Sequence, residues 1–493
     1  MPLPSEFDYF CFMSRIFFCI LWLLAVARVE AQDKWDLKQC VAYALANNIS
    51  IKQADLQVRF SQLVYQQNKG AQLPTVNVGL DAGYNFGLSE NPTTGTLQNR
   101  KSFSATTSLQ SGVTLFNWFA LRNQIEASRL TIEADKAQST KVQNDIALNV
   151  AVAYLQILLA NQQVFVSAVQ VQQDQSQLDL TRKKVNAGVL PELNAAELEA
   201  QLATDSSALI TAQASFQQSV LQMKALLNLD AAQPFSVSTP PVDLIPVESL
   251  ADLQPEQVYQ LAVANLPQQK VNELRIQSAQ KSSEAARAQL YPNISAYGNL
   301  NTRFAYSRIP TYSQVLSGYQ PTGLRVDAGG GSFYNVETPV FSQGVQSGYI
   351  TSDPLYSQLS QNFGQGVGIG IQVPILNGRR ARLGWYRSKL TIDQLQLQND
   401  QDKQTLKQDI YRAYNDATAS IEKYNAAKKA VAAAAKAYDF AQKRYNVNLL
   451  STYDLINNQN RLARSQIEML SAQFDYIFRM KLLEFYKGQG LKL

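Results

Sequence analysis

The sequence contains no histidine, and this absence removes several classes of chemistry at once. Nucleophilic catalysis by a Ser–His or Cys–His pair needs an imidazole, and so do metal sites with histidine ligands. There are only three cysteines, Cys11, Cys19 and Cys40, and their positions do not match the ligand spacing of a metal site. We therefore predict no catalytic, metal-binding or cofactor-binding residue, and we do not expect an enzyme.

A strong charge of either sign is also missing. Lysine and arginine together number 44 against 39 aspartates and glutamates, which gives the 493 residues a formal net charge of +5. No basic run stands out, so a nucleic acid partner is not indicated. The length exceeds that of one ordinary globular domain.

The N-terminus has the pattern of a secretory leader. Arg15 precedes the apolar run IFFCILWLLAVA, and VEA, an A-x-A-like cleavage site, ends at Ala31. The pattern predicts a signal peptide over residues 1–31, and its apolar run is shorter than the roughly 20 residues that span a bilayer. A start at Met13 instead of Met1 would give a more ordinary leader, and both starts stay open. No later run looks apolar enough to predict a transmembrane helix.

Proline and glycine are absent from long stretches of the chain. Neither occurs from Trp118 to Asn186, and no proline follows Pro374. Because Ala, Gln, Leu, Lys and Glu dominate, we predict one helix over 118–186, about 100 Å long, and a second over 381–445. Apolar residues at near-heptad spacing, such as Ile146 and Val150, predict coiled-coil-like packing.

The chain also repeats itself. Asn47 and Pro74 match Asn265 and Pro292 at an offset of 218, and the offset then becomes 260 from Asn117/Asn377 through Ser128/Ser388, Tyr154/Tyr414 and Asn186/Asn446 to Leu190/Leu450. We predict two copies of one unit, 32–229 and 256–493, joined by a linker over 230–255. The 42 extra residues of the second copy fall within about 305–361, which we expect to form a loop.

Each copy is predicted to run helix, strand, strand, long helix, break, helix. The predicted strands are about 74–88, 102–116, 292–304 and 363–376, and the helices that follow the breaks are 191–228 and 452–486. Along each strand apolar residues alternate with glycine and polar residues. A soluble sandwich with one buried face and a membrane β-barrel with a lipid-facing exterior both fit this alternation.

Export, and strands long enough to cross the outer membrane, favour the barrel. Four strands leave open edges that lipid does not tolerate, and closed barrels begin at about eight strands. The chain must therefore oligomerise, as a dimer with a filled eight-stranded barrel or a trimer with a twelve-stranded one that leaves a channel.

Two motifs interrupt the helical pattern. They are VNAGVLPELNAAELEAQ at Val185–Gln201 and RYNVNLLSTYDLINNQN at Arg444–Asn460. With these breaks in a duplicated unit, the mature chain resembles the TolC-like outer membrane efflux protein (outer membrane factor) family over nearly its whole length. The resemblance implies an α+β membrane protein. It would be a homotrimer whose four transmembrane β-strands per chain complete a twelve-stranded barrel, with a long α-helical periplasmic tunnel.

The resemblance also implies the location of the remaining segments and the function. The linker 230–255 would join a mixed α/β equatorial belt, and 305–361 would be an extracellular loop. The trimer would lie in outer-membrane lipid of a Gram-negative cell. It would be the passive exit duct of a tripartite efflux or type I secretion system, with a periplasmic adaptor and an inner-membrane pump of RND or ABC type as partners. The alternative is a trimeric surface adhesin or binding protein with a barrel anchor; the duplication argues against it.

Viewed alone, the breaks are explained by helix capping. Ser451 and Asp454 have the spacing of an S-x-x-D capping box, with Ser451 as N-cap. In the first copy, Pro191 fits the first helical position and Gly188 fits the preceding turn.

The resemblance adds a gate at these breaks. Asp454 and Asn457 fall on the family's two acidic gate positions, Tyr445 on its gate tyrosine, Asn194 on that tyrosine's acidic partner, and Leu450 on a gate arginine. Three of the five positions are uncharged departures, so we expect weaker cation selectivity and less pH dependence than two acidic rings would give. The expected adaptor contacts are the exposed tips, Gly188, Val189, Leu190, Asn448, Leu449 and Leu450.

Overall fold

A computed structural model describes residues 34–90, 97–238, 248–447 and 449–488. The predicted signal peptide, Asn448 and part of the 230–255 linker lie outside these residues. Helices and strands follow one another in the order α1 (Leu37–Asn47), α2 (Ile49–Gly70), β1 (Thr75–Glu90), β2 (Leu97–Phe116), α3 (Ala120–Asn186), α4 (Glu192–Leu227), a 3-10 turn (Leu250–Asp252), α5 (Pro255–Asn265), α6 (Pro267–Ala288), β3 (Asn293–Asp327), β4 (Phe333–Thr351), α7 (Leu355–Gln361), β5 (Gly364–Gln372), α8 (Arg380–Asn446) and α9 (Thr452–Tyr486).

The predicted insertion loop is wrong. Strand β3 does not end near residue 304 but continues to Asp327, and β4 pairs with its second half. A turn with positive φ at Gly329, Gly330 and Gly331 joins the two strands, as glycine permits. Residues 305–361 therefore form most of a long antiparallel ribbon followed by the short helix α7.

All strand pairings in the sheet are antiparallel. The order is β1-β2-β3-β5, with β3 in the middle, and β4 extends the sheet only along the second half of β3. Strand β5 ends at Gln372, four residues before the predicted end, because Pro374 has no N–H to donate to the ladder. Among the described residues, β1 and β5 are paired on one side only, so the sheet has two free edges.

The sheet exposes an apolar face instead of burying it. Val78 is 71% exposed, Leu80 is 72% exposed and Val367 is 91% exposed. A soluble sandwich would bury such a face, whereas a lipid-facing surface leaves it apolar and uncovered. The single chain therefore has the surface of a membrane sheet.

Glycine on β5 makes room for polar side chains of β3. Gly366 pairs with Asn299 and Gly368 with Tyr297. A Cβ at Gly366 would lie 2.6 Å from the Asn299 Oδ1, and one at Gly368 would lie 2.7 Å from the Tyr297 ring. The alternating glycines thus allow long polar side chains to lie across the neighbouring strand.

The chain divides into two compact units. The sheet unit contains Tyr65–Glu126 and Gln280–Lys389. The helical unit contains the described residues up to Val64, with Ala127–Ala279 and those from Leu390 onward.

Two hydrophobic cores in the helical unit repeat each other position by position. Each is built where one short helix packs against one long helix and the C-terminal part of the helix that follows the break. The corresponding buried residues are Cys40/Val258 and Ala44/Ala262 at the offset of 218, and Val150/Ile410, Ala153/Ala413, Ile157/Ala417, Val220/Met480 and Met223/Leu483 at the offset of 260. The duplication seen in the sequence is therefore a duplication of packing.

Among the residues that the structure describes, one helix, α3, is long and apolar enough by composition to cross a membrane. The expectation that no such run exists is wrong. Ile146, Val150 and Ile157 of this helix lie in the first core, so its apolar residues pack against α1 and α4.

Candidate gate at two helical hairpins

Helices α3 and α4 form a first hairpin, and α8 and α9 form a second. The first turn is a Schellman motif: Val189 N–H donates to the Lys184 carbonyl, and Gly188 N–H donates to the Val185 carbonyl, both at 2.9 Å. Gly188 has φ of +71°, the left-handed conformation that this motif needs. Pro191 is the N-cap of α4, one position before the expected N1.

The second turn repeats the first. Leu449 N–H donates to the Arg444 carbonyl at 2.8 Å, the equivalent of the Val189–Lys184 bond. The capping prediction is confirmed, because Ser451 is the N-cap of α9 and its hydroxyl accepts from Asp454 N–H at 3.1 Å. The reciprocal bond differs from a full capping box: Ser451 Oγ, not its backbone N–H, donates to the Asp454 carboxylate at 2.7 Å.

Tyr445 joins the two hairpins. Its side chain is buried, and its hydroxyl lies 3.0 Å from Thr181 Oγ1 on α3 and 3.5 Å from Thr452 Oγ1 on α9. Both threonines are buried as well. The Lys184 ammonium lies 5.4 Å from the centre of the tyrosine ring. Where the resemblance places Asn194 as the tyrosine's partner, the structure places Thr181.

Of the other expected gate residues, some are exposed to solvent and some are packed against neighbouring side chains. Asp454 and Asn457 are exposed one turn apart on α9, and Asn194 is half-buried on α4. Leu450 packs on the cluster formed by Ala441, Tyr445 and Leu455, so it fills space where the resemblance expects an arginine.

Most of the residues expected to contact the adaptor are exposed to solvent. Val189 and Leu449 are more than half exposed, Gly188 is exposed, and Leu190 is half-buried. Asn448 lies outside the described residues.

Sequence reasoning missed a buried acid between the hairpins. Asp174 of α3 is fully buried, and its Oδ1 accepts hydrogen bonds from Gln170 and from Gln459 of α9. Burial raises its pKa to about 7, and the Asp205 carboxyl contributes to the rise. The pattern that could have revealed it is the helical spacing of Asp174, Leu178 and Thr181, which puts a carboxylate on a buried stripe.

The sequence that forms these helices, turns and strands matches a known protein family. The model of the family described as outer membrane efflux protein matches residues 41–229 and 345–479, about two-thirds of the chain. The chain belongs to the outer membrane efflux protein family. It is therefore an efflux protein of the Gram-negative outer membrane, and the adhesin alternative is not supported.

Relatives of this efflux protein are distant in sequence. Outer membrane protein TolC of Escherichia coli (strain K12) is 23% identical over 90% of this chain and 80% of its own length. Toxin and drug export protein A of Aggregatibacter actinomycetemcomitans is 21% identical over 90% and 83%. The crystal structure of CusC has a TM-score of 0.72 at 18% identity and covers 93% of each chain, so it shows the same fold.

Proposed function

We propose that this efflux protein is the passive exit duct of a tripartite efflux or type I secretion system. A homotrimer would close the sheet into a twelve-stranded barrel and the helices into a periplasmic tunnel. The observation that supports it best is the sheet itself, which has an exposed apolar face and, within the described part of the chain, two free edges. Open edges are not stable in lipid, so neighbouring copies are needed to pair them.

The proposed gate consists of Asp454, Asn457, Tyr445 and Asn194. Around the threefold axis of a trimer, Asp454 would form a single ring of three carboxylates, which attracts cations at a constriction. Asn457 would form a neutral ring one turn further along α9. Tyr445 would hold the second hairpin against the first in the closed state through Thr181.

The proposed adaptor contacts are the tips of both hairpins. Exposed Val189 and Leu449 offer an apolar surface at equivalent positions of the two turns. A periplasmic adaptor could therefore recognise both copies in the same way, and an inner-membrane pump of RND or ABC type would supply the energy. The relatives' names include toxin and drug export, so both proteins and small toxic molecules are candidate substrates.

Deletion of the gene with susceptibility profiling tests the transport role. We expect greater sensitivity to dyes and antibiotics if the substrates are small molecules. Unchanged susceptibility with loss of an exported protein would assign the duct to type I secretion. If susceptibility and protein export are both unchanged and surface attachment is lost, the proposal of an exit duct is wrong.

Conductance of the trimer in planar bilayers tests the gate ring. We expect Asp454→Ala to reduce cation selectivity, because it removes the one carboxylate of the ring. Asp179→Asn is the control, since Asp179 is an exposed acid on α3 that accepts a hydrogen bond from Gln175 of the same helix. Equal selectivity of wild type and Asp454→Ala would show that Asp454 does not line the constriction.

A further inference from the structure

The buried Asp174 has a carboxylate oxygen that lacks a conventional donor. Oδ1 accepts from Gln170 Nε2 at 3.2 Å and from Gln459 Nε2, but no N–H or hydroxyl of the described residues donates to Oδ2. A fully buried carboxylate oxygen without a donor is unfavourable, because it has lost its hydrogen bonds to water and gained none in return. Another interaction of Oδ2 must therefore compensate for the missing hydrogen bond.

The group that faces Asp174 is another acid. The carboxyl of Asp205, on α4, acts on that of Asp174 at hydrogen-bonding range, and its Oδ2 accepts from Gln201 Nε2 at 2.8 Å. Ionised carboxylates only accept hydrogen bonds and repel each other, so a contact between two of them is favourable only when one carries a proton. Protonation of Asp174 on Oδ2 satisfies both: the O–H donates to Asp205, and Oδ1 stays free for the two amides.

Both acids are tied to the second hairpin. Asp174 reaches α9 through Gln459, which is itself buried. Asp205 reaches α9 through Gln201, whose amide exchanges two hydrogen bonds with Asn460, at 3.0 and 3.3 Å. One proton thus supports contacts of two helices of the first hairpin with neighbouring residues of α9.

The titratable groups around the pair are few. From α4 the group is Asp205, and from α8 it is Tyr438; α9 contributes the neutral amides of Gln459 and Asn460. Burial raises the pKa of Tyr438, and the charge of Asp174 adds to the rise, so this phenol stays neutral at physiological pH. Asp205 is the group that acts most strongly on Asp174 among those in the described part of the chain, so loss of the proton places a negative charge on a carboxyl that faces another carboxyl.

We propose that Asp174 and Asp205 are a proton-operated latch between the two hairpins of each chain. While Asp174 holds its proton, the latch fastens α9 to α3 and α4. When the proton leaves, repulsion between the carboxylates weakens these contacts and favours separation of the hairpins. The link to opening of the duct rests on the proposed gate, whereas the latch itself does not.

The sign of the pH effect follows from the direction of the shift. The pKa of Asp174 is raised in the folded chain from 3.8 to about 7, so the folded state binds the proton more tightly than the unfolded chain. The latch is complete below the ordinary pKa and weakens as pH rises through about 7. Alkaline conditions should therefore loosen the hairpins.

Hydrogen–deuterium exchange of the full trimer tests the latch without reference to transport. Asp174→Asn keeps the geometry without a titrating proton, because its amide can donate to Asp205. Peptides covering residues 195–210 and 455–462 are compared with those of Asp174→Asn at the same pH, since chemical exchange itself changes with pH. We expect similar rates near about pH 5.5 and roughly tenfold faster exchange of the wild type near about pH 8.5.

Two further variants keep the test decisive if Asp174→Asn assembles poorly. Asp205→Asn can donate its amide to an ionised Asp174, so it should also lose the pH response. The exposed control Asp179→Asn should keep it. The latch is overturned if Asp174→Asn and Asp205→Asn retain the wild-type response, or if the wild type shows none.

Conductance in planar bilayers then tests whether the proposed latch controls the proposed gate. We expect the open fraction of the wild type to rise with pH and that of Asp174→Asn to stay constant. If exchange responds to pH and conductance does not, the latch stands and the proposed position of the gate is wrong.

Discussion

Removing the hydroxyl of Tyr445 should favour opening of the duct. The Tyr445→Phe change deletes the 3.0 Å bond to Thr181 and the 3.5 Å contact with Thr452, all within a buried cluster. A buried neutral hydrogen bond contributes about 0.5–1.5 kcal/mol. The Thr181 hydroxyl can turn to a carbonyl of its own helix, which limits the cost of losing its partner.

We therefore expect a loss of about 1 kcal/mol from the closed state, which raises the open-to-closed ratio about fivefold. Single-channel recording of the protein in planar bilayers measures this ratio directly. Tyr453→Phe is the control, because that tyrosine follows Thr452 on the first turn of α9 but is 65% exposed.

A double-mutant cycle identifies the partner. If Tyr445 acts through Thr181, Thr181→Val should add little to Tyr445→Phe, since the two changes delete the same bond. Equal open fractions for Tyr445→Phe and Tyr453→Phe would refute the role of this hydroxyl in closure. Fully additive effects would show that Tyr445 and Thr181 stabilise the closed state separately.

Two further predictions concern single positions. Gly188→Ala should destabilise the first hairpin by about 1 kcal/mol, because φ of +71° is unfavourable for an L side chain although the space is open; exchange rates of tip amides measure it, and Val189→Ala is the control. Cys40 should resist maleimide at neutral pH until the protein is unfolded, because burial, with the nearby charge of Asp36, raises the pKa of its thiol to about 12; rapid labelling of folded trimer, followed by mass spectrometry, would contradict this.

Most of the helical architecture could be predicted from the sequence, because the patterns that indicate it are local or repeated. Absence of proline and glycine from 118–186 leaves few alternatives to one helix, and α3 occupies Ala120–Asn186. The turn chemistry is local too, so the Ser451 N-cap lies where the sequence predicts it, and Pro191 lies one position from its predicted place.

The prediction of a loop at 305–361 failed because the comparison of the two repeats shows only that the second has additional residues. It does not show their conformation. The segment also contains Pro310 and Pro321, which the middle of a sheet does not tolerate. Strand β3 tolerates them because its second half belongs to a two-stranded ribbon with register shifts, where one edge needs no donor. Pairing with β4, not local propensity, decides the conformation there.

Asp174 escaped notice for a different reason. Within a glutamine-rich helix, one aspartate on a heptad stripe looks like a solvated charge. Its partners Asp205 and Gln459 are 31 and 285 positions away in the chain, so only the folded hairpins bring them together. The resemblance directs attention to Asp454 instead, which the structure places in solvent.

The expectation of a weakly pH-dependent gate depends on where the titrating carboxyl lies. It was drawn from Asn457, which leaves Asp454 without a second acidic ring, and that reasoning concerns selectivity at the constriction. Asp174 places a titrating group inside the wall of helices, where a proton stabilises packing instead of setting the field in the pore. The two properties should therefore separate: Asp454→Ala should change ion selectivity and leave the pH dependence of opening intact, whereas Asp174→Asn should do the reverse. If either variant altered both ion selectivity and the pH dependence of opening, the charge in the pore and the contact between the hairpins would not be independent.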